Sequence, residues 1–222
     1  MVLVLQMISI ALLSIQVAIV ATIMVLPLAV LIGWILAKKH FKGKIFLETL
    51  VSLPLALPPV ATGYFLLLLL GREGAIGKLY TTFLGSDIVF TWGAASIAAA
   101  IVSFPLVVRP IVVSMSSVDV SLERSSLVLG AGRIKTFISI TLPLSYKGIL
   151  AGTLLGFVRA LSEFGATIIV AGNIPGKTQT LPLAIFGHVQ MGRNRDAMEL
   201  ILVSIVIAVI SLFVYNRLLA KA

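Results

Sequence analysis

The sequence predicts an all-α polytopic membrane protein with about five transmembrane helices. Hydrophobic residues make up 59% of its 222 positions and charged residues only 11%, and the mean hydropathy is +1.16. A soluble domain carries about 25% charged residues, so this chain has too few charges to cover a water-facing surface. Open strands are excluded as spanning elements, because their unpaired amides would stay unsatisfied in lipid.

Five stretches are long and apolar enough to cross a bilayer core about 30 Å thick, which takes about 20 residues of helix. We predict spans at 14–37, 49–70, 89–114, 148–171 and 197–217, of which the fourth is interrupted only by Arg159 and Glu163. Residues 1–37 exceed one crossing but fall short of two crossings and a turn. We therefore expect the first dozen residues to form a helical extension lying at the surface, and a sixth span is the alternative.

The basic residues predict which side each loop faces. The loops at 38–44 and 116–147 and the C-terminus hold ten Lys and Arg residues, whereas the loops on the opposite side hold five. Basic loops remain cytoplasmic, so we predict the N-terminus outside, the C-terminus inside, and a multi-pass protein of the cell membrane. The net charge of +9 therefore reflects topology and does not indicate nucleic-acid binding. Without a visible linker or repeat, residues 1–222 are expected to form a single domain.

The stretch "AGNIPGKT" at 171–178 resembles a phosphate-binding loop, but its spacing is wrong. Such a loop needs G-x-x-x-x-G-K-[ST], and the position of the first glycine is occupied by Ala171. Pro182 also interrupts the helix that should follow. We interpret the stretch as a tight external turn built from Gly172, Pro175 and Gly176.

The long loop at 118–145 has the pattern of two short helices. Asp119 or Ser121 can cap the first helix, and Gly130-Ala131-Gly132 ends it, because glycine accepts the left-handed cap conformation. A second amphipathic piece runs from Arg133 to Ile140 and leads to Leu142-Pro143. We predict a cytoplasmic helix–turn–helix, the 118–145 hairpin. From the residues alone it could equally be a surface hairpin that lies on the membrane.

This hairpin is similar to the inner-loop signature of importer-type ABC permeases, Glu-Ala-Ala-x3-Gly-x9-Ile-x-Leu-Pro. Gly130 is followed after nine residues by Ile140-Thr141-Leu142-Pro143. Glu123 lies seven residues before Gly130 instead of six, so in strict register Arg124 takes the place of the acid, and Ser125-Ser126 replace the alanine pair. The resemblance implies that this helix docks into a groove of an ATP-hydrolysing subunit, and the residues expected to couple the two subunits are Glu123, Arg124, Ser125, Ser126, Gly130, Ala131, Ile140, Leu142 and Pro143.

Three further segments resemble the molybdate/tungstate branch of these permeases: 50–77, "RALSEFGAT" at 159–167, and "GNIPGKTQTLPLAIF" at 172–186. The resemblance implies the type I ABC importer permease fold and import of molybdate or tungstate. It also implies an ATPase subunit, an extracytoplasmic binding protein and a second copy of the chain as partners. Sulfate permeases are close relatives, so sulfate import is the alternative. The residues do not separate molybdate from tungstate.

Arg159 and Glu163 are candidates for the transport pathway. They are four residues apart and can pair, and ionisable residues within a bilayer face a bundle interior or an aqueous cavity. The pair either locks helices together or offers positive potential to an oxyanion. We expect the locking or gating role, because conduction requires binding weak enough for release. The resemblance places Ser162, Phe164, Gly165 and Thr167 along the same pathway as gate candidates.

Other classes of function find less support. The sequence has no cysteine, no metal-ligand cluster and no nucleophile–base set, so we expect no catalytic site, no metal site and no cofactor in this chain. A secondary transporter or channel would work without an ATPase and would usually show paired repeats, which are not visible here. It remains the alternative from a different class.

Overall fold

The computed structural model describes residues 2–221, with side chains from residue 5 to residue 220. Every regular element in this part of the chain is helical, which confirms the predicted all-α class. The elements in chain order are α1 (Val2–Lys38), α2 (Lys44–Ala56), α3 (Pro59–Leu70), α4 (Ala75–Leu84), α5 (Trp92–Ser116), α6 (Val120–Val128), α7 (Arg133–Thr136), a π-helical stretch (Phe137–Thr141), α8 (Leu142–Leu144), α9 (Tyr146–Leu161), α10 (Gly165–Val170), α11 (Leu181–Gln190) and α12 (Asn194–Lys221).

Three of these helices, α1, α5 and α12, are each long and apolar enough to cross a membrane. Two further candidates are bent: α2 and α3 meet at 109°, and the helical run through α7 and α8 meets α9 at 71°. Counting each bent pair as one span gives five, so the predicted number agrees with the upper end of the range of three to five. The side on which each terminus lies stays a prediction.

The predicted fourth span, 148–171, is not one helix, and the prediction of a continuous helix is wrong. α9 ends at Leu161 and α10 begins at Gly165. The carboxylate of Glu163 accepts the backbone N–H of Ala166 at 2.8 Å. A side chain that satisfies a first-turn amide favours a new helix start, and this contact therefore separates α10 from α9.

Prolines interrupt the second span. α2 ends at Ala56 and α3 begins at Pro59. At the first position of a helix the backbone N–H has no partner within the helix, so proline, which lacks this N–H, is tolerated there. The two breaks lie against each other. A Cβ on Gly165 would lie 2.8 Å from Cβ of Pro59, and a Cβ on Gly63 would lie 2.7 Å from the carbonyl oxygen of Ala166. α3 and α10 are therefore in close backbone contact beside both breaks.

The N-terminal extension is continuous with the first span. α1 has 37 residues and at 1.5 Å per residue is about 55 Å long, longer than the bilayer core. Ile10 is buried with Leu181 and Leu200 of α11 and α12. The hydroxyl of Ser14 accepts the backbone N–H of Leu181 at 2.7 Å. The extension therefore packs against the α11–α12 hairpin, and its depth in the membrane stays a prediction.

α5 is the central helix and contacts α1, α2, α3, α9 and α10. Its small side chains permit close packing, with Ala94, Ala95, Ala98 and Ala99 fully buried. α9 presents Gly148, Gly152 and Gly156 to it at four-residue spacing, and a Cβ on Gly152 would lie 2.5 Å from the carbonyl oxygen of Val107. This spacing of small residues brings helix backbones together in membranes.

Candidate functional site

The 118–145 hairpin begins and ends its first helix as the sequence predicts. The Asp119 carboxylate accepts the backbone N–H of Ser121 at 2.8 Å, so Asp119 and not Ser121 is the cap. At the other end Gly130 has φ +88°. The N–H of Gly130 donates to the carbonyl of Leu127 and that of Ala131 donates to the carbonyl of Ser126. These two bonds form a Schellman cap.

The second arm of the hairpin is helical but not regular. α7 passes into the π-helical stretch Phe137–Thr141 and then into α8, an irregularity that the sequence analysis did not foresee. The hydroxyls of Ser126 and Thr136 lie 3.1 Å apart and join the two arms. Phe137 packs on Trp34 of α1, with ring centroids 5.3 Å apart, so the second arm rests on the end of α1.

Glu123 faces the inside of the protein. One carboxylate oxygen lies 3.0 Å from Nζ of Lys38, and the other accepts the hydroxyl of Thr141 at 2.5 Å. Its side chain is 15% exposed. The acid that the signature places at a partner surface is therefore engaged within this chain.

The exposed tip of the hairpin is apolar and basic. Val128 and Leu129 are 86% and 87% exposed, and Ile134 is 76% exposed. Arg124 and Ser125 are also exposed, whereas Ser126 and Ala131 are partly buried. Such a concentration of apolar side chains at a surface indicates an interaction site. Of the signature's last residues, Ile140 and Leu142 are half-buried and Pro143 is exposed.

Arg159 and Glu163 pair as the sequence predicts, with 2.7 Å between the guanidinium and the carboxylate. Glu163 is 1% exposed, and Arg159 is 26% exposed. Both oxygens of Glu163 are engaged, one by Arg159 and one by the N–H of Ala166. The carboxylate is thus buried and satisfied, while part of the guanidinium faces outward.

The other pathway candidates lie around the break but do not share one surface. Ser162 is exposed and donates to the carbonyl of Arg159 at 3.1 Å. Phe164 packs on Phe186 of α11, with ring centroids 4.9 Å apart. Gly165 and Thr167 belong to α10 and are buried. An open groove of about 510 Å³ runs past this region, and its lining includes Val158, Leu161, Ser162, Phe164, Pro182 and Phe186.

The 171–178 stretch folds as a turn around Thr178, whose side chain is fully buried. Its hydroxyl donates to the carbonyl of Gly172 and accepts the N–H of Ile174, both at 3.0 Å. Gly172 and Gly176 have φ of +69° and +73°. The N–H groups of Lys177, Thr178 and Gln179 all donate to the carbonyl of Ile174. These amides already donate hydrogen bonds within the turn, so they are not available to bind a phosphate.

Two loop carboxylates have lowered pKa values. The Arg72 guanidinium donates to both oxygens of Asp87 at 2.9 Å and lowers the pKa of that carboxyl. The N–H of Ser121 lowers the pKa of Asp119, and the charge of Lys38 adds to this effect. Both carboxylates therefore stay ionised at neutral pH, one closing the loop around α4 and the other capping α6.

Sequence reasoning missed the partners that come from distant parts of the chain. In the sequence, Lys38 serves only as a topology signal, Thr141 only as a spacer of the signature, and Phe186 only as the last residue of the 172–186 segment. The glycines at 148, 152 and 156 could have been found, because their regular spacing within an apolar stretch is the known pattern for close helix contacts. Nothing in the local sequence pairs Lys38 with Glu123, 85 positions further along the chain.

Comparison with known proteins identifies the family of this chain. Residues 29–221 match the family model described as "Binding-protein-dependent transport system inner membrane component". The chain is 45% identical over 201 residues to the molybdenum transport system permease protein ModB of Haemophilus influenzae, covering 90% of this chain and 88% of that protein. It is also 45% identical to ModB of Escherichia coli K12, covering 91% and 89%. The sulfate permease CysW of Synechococcus elongatus is 37% identical, covering 72% of this chain and 57% of CysW.

Two solved structures share the fold. A bacterial ABC transporter involved in the import of the acidic polysaccharide alginate gives a TM-score of 0.70 at 17% identity, covering 97% of this chain and 79% of that chain. An amino acid ABC transporter gives 0.61 at 17% identity, covering 97% and 92%. The fold is that of type I ABC importer permeases. The chain belongs to the family of binding-protein-dependent transport system inner membrane components, as a multi-pass membrane protein related to ModB.

Proposed function

We propose that this chain is the transmembrane subunit of an ABC importer that moves molybdate or tungstate into the cytoplasm, with ATP hydrolysed by a separate subunit. The observation that carries the proposal is the 45% identity to ModB along nine-tenths of the chain. The similarity to CysW is lower and covers less of both chains, so sulfate import is the second candidate.

The 118–145 hairpin supports an ATPase subunit as partner. Its two arms are tied together by the contact between Ser126 and Thr136, and its tip exposes Val128, Leu129 and Ile134. A rigid helix with exposed apolar anchors fits a groove in another protein. Arg124, Arg133 and Lys135 surround this tip, and they suit a groove with an acidic rim. The docked face is therefore the apolar and basic one, on the cytoplasmic side.

The broken helices support a second copy of the chain. Pro58, Pro59 and Val60 at the first break and Ser162 at the second are exposed in the single chain. Irregular backbone at membrane depth is tolerated only where it is buried in protein or lines an aqueous cavity, not where it faces lipid. We infer that this face, together with the adjoining groove, meets its copy around a central pathway.

Within that pathway Arg159 is the charged group that an anion would meet. Its guanidinium is partly exposed, whereas Glu163 is buried beneath it. Phe164 packs against Phe186 with tilted rings and forms an apolar constriction next to the break at Ser162–Phe164. Gly165 and Thr167 act there through packing, because both are buried.

The opposite end of the molecule would receive the binding protein. The 71–91 loop is closed by the ion pair of Arg72 and Asp87, and the 172–178 turn is fixed by Thr178. Both present ordered backbone to the side opposite the hairpin. This assignment places the N-terminus outside and the C-terminus inside, as the distribution of basic residues predicts.

The test is uptake of labelled molybdate into vesicles that contain this chain, its ATPase subunit and the binding protein. We expect uptake that requires all three proteins and ATP, with tungstate competing and sulfate not competing. Competition by sulfate at similar concentration would favour the sulfate candidate. Uptake by this chain alone, independent of ATP, would refute an ABC importer and indicate a secondary transporter.

The pathway assignment has its own test in the same vesicles. Arg159→Ala and Phe164→Ala should each lower the uptake rate while the ATPase subunit still copurifies. Val113→Ala is the matched control, because Val113 is an exposed apolar residue of α5 away from the break. Uptake at the unmodified rate in both pathway variants would exclude these residues from the pathway.

A further inference from the structure

A buried polar junction joins the end of α1 to the 118–145 hairpin. Lys38, the last residue of α1, lies 3.0 Å from the carboxylate of Glu123 and donates to the carbonyl of Val118 at 2.9 Å. Its side chain is 12% exposed. The cation therefore holds the hairpin both just before its first helix and in the middle of that helix.

Glu123 extends this junction to the second arm. Its other oxygen accepts the hydroxyl of Thr141, which is 1% exposed and ends the π-helical stretch that leads to α9. Three segments that are distant in sequence thus meet at one carboxylate. Charge-assisted hydrogen bonds are shorter and stronger than neutral ones, and this carboxylate makes two such contacts out of bulk water.

Each oxygen of Glu123 retains a second lone pair, but a partner that drew the carboxylate away from Lys38 and Thr141 would leave an uncompensated, partly buried charge, which is costly. The side chains that are exposed to a partner are those of the tip, including Arg124 on the following position. These contacts within the chain point to a role for Glu123 in the permease itself.

The junction lies at one end of a long helix. α1 is continuous from residue 2 to residue 38, with Pro27 inside it, and in its first half Ser14 accepts the backbone N–H of Leu181 at the start of α11. The ring contact between Trp34 and Phe137 adds an apolar contact between α1 and the hairpin next to the junction. A displacement of the hairpin would therefore be carried by α1 to the α11–α12 hairpin at the opposite end of the molecule.

We propose that the Lys38–Glu123–Thr141 junction is the mechanical link through which movement of the 118–145 hairpin drives α1 and α9, with Glu123 as a positioning residue and not a partner contact. The proposal rests on the proposed function, since it needs an ATPase that moves the hairpin. It predicts that a broken junction separates ATP hydrolysis from transport without preventing assembly.

The experiment uses the complete transporter in proteoliposomes and measures two quantities: the molybdate imported per ATP hydrolysed, and the amount of ATPase subunit that copurifies. The variants are Glu123→Gln and Lys38→Met. Lys42→Met is the matched control, an exposed lysine in the next loop. In both variants we expect the molybdate imported per ATP to fall about fivefold or more, since fivefold is the lower limit of typical coupling between sites. The amount of ATPase subunit that copurifies should not change. In the control, both quantities should stay as they are in the unmodified protein.

A covalent substitute for the junction gives the rescue. The chain contains no cysteine, so a bis-maleimide reacts in this chain only at the introduced positions of the double variant Lys38→Cys/Glu123→Cys. Before cross-linking this variant should import as little molybdate per ATP as Lys38→Met. After cross-linking the ratio should recover, because α1 and the hairpin are joined again.

Three outcomes would overturn the proposal. Reduced copurification in Glu123→Gln with normal values in Lys38→Met would assign Glu123 to the partner interface. An unchanged molybdate-to-ATP ratio in both variants would show that the junction transmits nothing, and loss of transport on cross-linking would show that the pair must separate. Failure of the proposed function is recognised separately, because the unmodified complex would then show no ATP-dependent uptake.

Discussion

The contact between α5 and α9 gives a quantitative prediction for Gly152→Ala. A Cβ at this position would lie 2.5 Å from the carbonyl oxygen of Val107, whereas ordinary contact begins at 3.4 Å. Because the obstacle is backbone, no change of rotamer relieves it and the two helices must separate by about 1 Å. Overpacking of this kind costs about 1–3 kcal/mol, and a clash with rigid backbone belongs at the upper end of that range.

The helix propensity of alanine opposes this cost. Replacing glycine within a helix gains about 1 kcal/mol, so the net loss for Gly152→Ala should be about 2 kcal/mol. For a chain of this size that corresponds to a fall in Tm of about 4–8 °C. The assay is the melting temperature of the purified protein in detergent, followed by loss of the monodisperse peak in size-exclusion chromatography.

Two other glycines make the comparison specific. Gly93 is also helical, but a Cβ there would meet only the Thr91 hydroxyl at 3.5 Å, so Gly93→Ala should melt at or above the temperature of the unmodified protein. Gly156→Ala would meet the side chain of Val107 at 2.3 Å, and because a valine in a helix has one strongly preferred rotamer, this variant should also be less stable than Gly93→Ala. If Gly152→Ala is as stable as Gly93→Ala, the close α5–α9 contact is wrong.

Three further predictions concern the loops. Thr178→Val should destabilise the 172–178 turn by about 1–3 kcal/mol, because it leaves the Ile174 N–H without its acceptor, and Thr178→Ser should retain most of the stability in the same melting assay. Gly176→Ala should cost about 1 kcal/mol from its φ of +73° alone, since nothing lies within 4 Å of the added Cβ. Asp87 has a lowered pKa, so its ion pair with Arg72 is fully present above the ordinary aspartate value of about 3.9 and is lost as the pH falls through the lowered folded-state value. Proteolysis of the 71–91 loop should therefore accelerate only in acid, whereas Asp87→Asn should be cut rapidly at every pH.

Features governed by local rules could be predicted from the sequence. The cap at Asp119 and the helix end at Gly130 depend on residues within a few positions of each other, and the structure confirms both. Pro58 and Pro59 lie at the break between α2 and α3 because proline lacks the N–H that a continuing helix needs, whereas Pro54 lies within α2. The length of the apolar stretches also predicted the three uninterrupted spans, because the hydropathy of a segment does not depend on which helix it packs against.

Features governed by distant partners could not be predicted. The pattern of 148–171 is apolar except at Arg159 and Glu163 and predicts one span, and the contact of Glu163 with the Ala166 amide, although local, shows only in the structure why the helix ends and restarts. The pairing of Lys38 with Glu123 depends on how the hairpin folds back onto α1. Glu123, which the resemblance assigns to the coupling surface, also contacts Lys38 and Thr141 within the chain, and these contacts depend on tertiary structure and not on its register.

The pair of Arg159 and Glu163 is compatible with both interpretations made from the sequence, helix locking and a place on the pathway. Glu163 is buried and fully engaged, so its role is structural: it starts α10 and compensates the nearby cation. The Arg159 side chain is 26% exposed, but its charge is balanced by the Glu163 carboxylate at 2.7 Å. An approaching dianion would therefore meet the weak field of a close ion pair and not that of a free cation. On the proposed pathway, weak attraction of this kind would let an anion enter and leave, as conduction requires, and Glu163 would both lock the helices and keep the site from holding its substrate.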